Sequence, residues 1–102
     1  MNCRAAVLTG EGTAALATIM VAGPDAETVL GDLLTTALPA PGERTLTHLQ
    51  DARGRIDQIV AAQEEPERFA LHCHGNPLII ERIMSGLQDR GAQLAEGHAL
   101  LT

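Results

Sequence analysis

Apolar and polar residues alternate with a period of two through Phe69, Leu71 and Cys73 on one side and Ala70, His72 and His74 on the other. That spacing predicts a strand with one apolar and one more polar face. Gly75 ends it. Asn76 is a favoured N-cap, because its side-chain oxygen can accept an otherwise orphaned helix N–H, and Pro77 suits a first helical position, where its missing N–H costs nothing. A helix is therefore predicted over 77–90. Ile79, Ile80, Ile83, Met84 and Leu87 keep helical spacing and form one stripe, leaving Glu81, Arg82, Ser85, Gln88 and Asp89 for water. Gly91 closes the helix as the usual left-handed residue.

The same reading, taken from the start, predicts a first strand over Cys3 to Leu8 and a polar turn at Thr9-Gly10-Glu11-Gly12-Thr13. Ala14 to Ala22 is nearly all apolar, as in a central strand covered on both faces. Gly23-Pro24 ends it. Asp25 is then an N-cap for a helix in which Ala26, Val29, Leu30, Leu33 and Leu34 keep helical spacing through Thr36. Gly31 lies inside it at a cost of about 1 kcal/mol relative to Ala, which points to close packing there or to simple tolerance. Two prolines and a glycine make 38–42 a loop to another sheet edge. Arg44 to Gln50 and Arg55 to Ala62 read as strands joined by Asp51-Ala52-Arg53-Gly54, a hairpin turn. Gln63 to Glu67 is a short acidic connector. A last short strand is expected at Ala92 to Leu94, and Ala99-Leu100-Leu101 is apolar enough to dock. The resulting fold class is α+β: one domain, 1–102, with a mixed sheet of about five to six strands and two main helices on one face.

Composition narrows function mainly by exclusion. A chain of 102 residues with one aromatic, Phe69, must build its core from aliphatic side chains. The net charge is −6, and all seven basic residues are Arg, so direct binding to nucleic acid is not expected. Without any Lys there is no phosphate-binding GxxxxGK[ST] loop, and this chain alone is not a GTPase of that kind. No apolar run approaches the ~18 residues of a membrane span, and no secretory signal pattern opens the chain, so a cytoplasmic protein is expected. Two cysteines, Cys3 and Cys73, suggest reduced thiols rather than a disulfide framework.

His72 and His74 share a strand face, and two imidazoles at i and i+2 can chelate zinc. A zinc site needs three or four protein ligands, however, and Cys73 points the other way, while Cys3, His48 and His98 stand at no ligand spacing. No metal is expected. Cys73 lacks a base on its own face and is expected to be buried and inert. Glu64, Glu65 and Glu67 read as a solvated connector, not an acid-base pair, and no catalytic residue is assigned.

The blocks GTAALATIMVAGPDAETVLGDLL, GRIDQIVA and FALHCHGNPLIIERIM resemble the N-terminal domain of the tRNA-modifying GTPase family TrmE or MnmE. The likeness covers most of the chain. In that family a strand runs into Ser-Gly-Pro and a helix, here Ala22-Gly23-Pro24, and a later strand ends in His-Cys-His-Gly-Gly, here His72 to Asn76. The resemblance implies a fold like the one-carbon-binding domain of the glycine cleavage T-protein, homodimerisation, and binding of 5-formyltetrahydrofolate in wobble-uridine modification of tRNA. It also implies a partner GTPase domain, in the same chain or another, so that the chain is either an excised domain or a reduced stand-alone relative. Three departures stand out. The family's Arg two residues ahead of the Ser is Met20 here, its Gly-Arg-Gly-Gly turn is Glu11-Gly12-Thr13-Ala14, and its Ser-Tyr-Thr-Gly-Glu-Asp loop is replaced by Gln63 to Glu67.

Two function classes follow. One is a folate-binding module with Thr18, Met20, His72, His74, Gly75 and Asn76 as candidate ligand-binding residues. The other is an interaction module that keeps dimerisation with weak or lost folate affinity. Losing an Arg removes the planar donor best suited to a carboxylate, which favours the second. A small metal-binding protein using His72 and His74 is the third alternative.

Overall fold

The computed structural model describes residues 2–8 and 16–96. The described elements are β1 (Arg4–Val7), β2 (Leu16–Ala22), α1 (Ala26–Gly31), β3 (Arg44–Asp51), β4 (Gly54–Glu65), β5 (Arg68–His74), α2 (Pro77–Asp89) and β6 (Gln93–Leu94). They form one mixed six-stranded sheet in the order β3-β4-β5-β2-β1-β6. Only β1 and β6 pair parallel; the other neighbours run antiparallel. The fold class is thus the α+β architecture expected. The turn at 9–13 and the apolar tail at 99–101 lie outside the described residues.

The alternation in β5 sorts the sheet into two faces. Phe69, Leu71 and Cys73 are buried with Ile19 and Val21 of β2, Ile59 and Ala61 of β4, and the inner sides of both helices, Val29, Leu30, Ile83 and Leu87. The opposite face carries a smaller cluster of Ala6, Met20 and Ala70, with Leu8 and Ala95 packed against it. Both helices therefore cover the same face.

α2 forms as its signals require. The Leu78 N–H donates to Asn76 Oδ1 at 2.8 Å, Pro77 opens the helix, and Gly91 follows it at φ +106°. One stripe assignment needs correcting. Arg82 does not face open water but donates Nε–H and Nη2–H to the two carboxylate oxygens of Asp51, each at 2.7 Å, and Nη2–H also reaches the Gly54 carbonyl. This fork ties α2 to the β3–β4 turn, whose Gly54 adopts φ +120°.

Other boundaries move for identifiable reasons. α1 stops at Gly31 rather than Thr36, because the chain leaves the helix to line the outer edge of β3. There the Gln50 N–H donates to the Leu33 carbonyl and the Thr35 N–H to the His48 carbonyl. Gly31 faces open space, so tolerance and not close packing explains it. Asp25 makes no side-chain cap and instead accepts the Asn2 backbone N–H. The acidic connector is mostly strand. β4 runs on to Glu65, Gln63 is buried with its amide donating to the Pro39 carbonyl, and only Pro66-Glu67 turns, with Glu67 at φ +67°.

Gly23 follows β2 at φ +133°, and a Cβ there would meet the Asn2 carbonyl oxygen at 2.4 Å. Only glycine fits.

Two outcomes test this architecture. Chemical denaturation should show Asn76→Ala costing roughly 1 kcal/mol through the lost cap, and Ile83→Ala ~2 to 5 kcal/mol through the emptied core. Equal and negligible effects would mean that Pro77 to Asp89 is not a packed helix. The second outcome concerns pH. The Arg82 guanidinium holds the Asp51 carboxyl well below the usual carboxylate range. A depressed folded-state value gives stability that is full above the unfolded carboxylate pKa of about 3.9 and lost as pH falls below it. Asp51→Asn should therefore lower stability at neutral pH and flatten its fall under acid, as read by thermal melts between about pH 7 and pH 2.

Candidate functional site

The register places most of the candidate residues on the helix-free face. Arg44, Ala62, Ala70, Met20 and Ala6 form one cross-strand row, and Leu46, Val60, His72 and Thr18 the next. His74 pairs with Leu16 one row further on. Alternation along β5 therefore brings Thr18, Met20, His72 and His74 to one surface, as the period of two requires.

Their surroundings differ. Thr18 Oγ1 and His72 Nδ1 lie 3.1 Å apart across the β2–β5 pair. Met20 is 4% exposed, enclosed by the apolar cluster of Ala6 and Ala70. His74 Nδ1 lies 2.8 and 3.0 Å from the two carboxylate oxygens of Asp57, and the His74 backbone N–H donates to the same carboxylate at 3.0 Å. Asp57, whose side chain is only 9% exposed against 62% for His74, was not among the residues singled out from sequence. The signal was weak: an Asp inside GRIDQIVA reads as a polar strand position, and its partner is 17 residues away. Gly75 is buried and Asn76 is committed to the helix cap.

The order β4-β5-β2 has a consequence for the histidine pair. Asp57 lies on β4 and Thr18 on β2, so the His72 and His74 rings make their hydrogen bonds toward opposite neighbours of β5. Among the described residues no group of three or more His, Cys, Asp or Glu is placed to hold a metal ion. His48 stands on β3, two strands away from β5, and His98 lies outside the described residues.

Cys73 points to the helix-covered face, where its thiol donates to the Ala17 carbonyl at 3.7 Å. Burial pushes that thiol up to about 11, with the nearby Asp57 charge acting in the same direction, so little thiolate exists at neutral pH. Burial likewise raises Cys3.

A cavity of about 290 Å³ opens on the helix-free face, lined by Glu43, Arg44, Glu64 and His72 among others. A second, of about 310 Å³, lies between the β3–β4 turn and α2, lined by Arg53, Leu78, Glu81, Arg82 and Ser85. Neither gathers the candidate set; only His72 borders one of them. Glu64, Glu65 and Glu67 are exposed, as a solvated segment should be. No helix among the described residues is long and apolar enough to cross a membrane.

Comparison with known proteins agrees with this architecture. The tRNA modification GTPase MnmE of Chlorobium phaeovibrioides (strain DSM 265 / 1930) is 33% identical over 55 residues, and that of Chlorobium luteolum (strain DSM 273 / BCRC 81028 / 2530) 34% over the same length. Each match takes in 47% of this chain and 12% of the relative. The glycine cleavage system aminomethyltransferase T from Bartonella henselae superposes with a TM-score of 0.62 at 22% identity, over 87% of this chain and 24% of that one, a likeness of fold. Residues 4–97 match the family described as GTP-binding protein TrmE N-terminus, which takes in every described strand and both helices. The chain belongs to the TrmE N-terminal family.

Proposed function

We propose that this chain is a non-catalytic homodimerising module, of the kind that serves a tRNA modification GTPase, in which formyltetrahydrofolate affinity is weak or lost. The observation that carries it is the helix-free face. Leu46, 63% exposed, ends the row that holds Val60, His72 and Thr18, and Leu16, 65% exposed, pairs with His74 one row further on. Exposed leucines on a sheet face gain by self-association, which removes their surface from water. Met20 supports the second half. It stands where the family resemblance implies an Arg, yet it is enclosed by Ala6 and Ala70 and offers no charge to a ligand carboxylate. The partner GTPase domain and a cytoplasmic setting belong to the same reading.

A functional folate module is the alternative, and one observation favours it. Arg44 stands at the far end of Met20's own row and borders the cavity that His72 also lines. It could carry a carboxylate contact from the other side of the face. Glu43 and Glu64 at the same cavity oppose an anion, which leaves this reading second.

Analytical ultracentrifugation beside calorimetric titration with 5-formyltetrahydrofolate tests both halves. A dimer is expected, with affinity weaker than micromolar, since each missing charge-assisted contact of ~1.5 to 3 kcal/mol costs about one to two orders of magnitude. Binding at micromolar or tighter would establish the folate module instead. A strict monomer with no folate affinity would remove both readings.

The opposed bonding of the two histidines supports a function without metal. Zinc content after purification without a His-tag should be below stoichiometric, and a chelator should leave the thermal midpoint unchanged, because a structural site contributes folding energy directly. A 1:1 zinc content lost in His72→Ala would overturn this.

A further inference from the structure

We draw no further inference here: the strongest candidate, the cavity on the helix-free face lined by Glu43, Arg44, Glu64 and His72, belongs to the site already described, and the buried Gln63 on its wall already donates its amide to the Pro39 carbonyl.

Discussion

Among the described residues both helices cover one face of the sheet, and most of this structure follows from that constraint. With both helices on the side of Ile19, Leu71 and Phe69, the hydrophobic effect has one sizeable core to work with, and it is aliphatic apart from Phe69. Everything on the other side is decided residue by residue. Ala6, Ala70 and Met20 close a small apolar cluster, while Leu16 and Leu46 remain exposed and His72 and His74 take partners on adjacent strands. The bare face is therefore neither a core nor an ordinary solvated surface.

The devices that hold the helices over the sheet are local and polar. Asn76 caps α2 within two residues of sequence, and the Arg82–Asp51 fork fixes the same helix to the β3–β4 turn from 31 residues away. The cap sets where α2 begins, and the fork pins its outer side to the hairpin. Arg90 repeats the pattern at the other end, reaching Asp32 beyond α1 at 2.7 Å, although this pair is exposed and contributes little. No buried side-chain nitrogen or oxygen among the described residues lacks a partner, so the polar content of the core is already satisfied.

Sequence patterning resolves this fold where signals are short-range and fails where long-range contacts decide. Period-two alternation located β5, and Asn76-Pro77 with Gly91 bounded α2, because each signal acts within a turn or a strand. The end of α1 was not legible. Leu33 and Leu34 keep helical spacing, but the outer edge of β3 offers their backbone a better use. The acidic composition of Gln63 to Glu67 suggested a loop for a similar reason: pairing with β5 extends β4 regardless of strand propensity. At the site, the shared strand face of His72 and His74 was legible from alternation, whereas that Thr18 and Met20 of β2 join them depends on strand pairing. Asp57 and Arg44 were not legible, since their positions relative to β5 depend on strand order, which no local pattern specifies.

Strand order also separates the two parts of the motif that ends β2. Gly23 cannot carry a Cβ without striking the Asn2 carbonyl, and its own N–H donates to the Glu67 carbonyl at 2.9 Å, so the glycine is required by the backbone whatever the domain binds. Asn76 and Pro77 are likewise explained by the start of α2. Met20 is different. No backbone requirement selects that side chain, and an arginine there would have to carry its charge out of an apolar cluster or find a partner. Gly23 thus persists from the family pattern because the backbone demands it, whereas Met20 departs at a position where the backbone makes no demand. A resemblance carried by Gly23 is for that reason strong support for architecture and little support for folate.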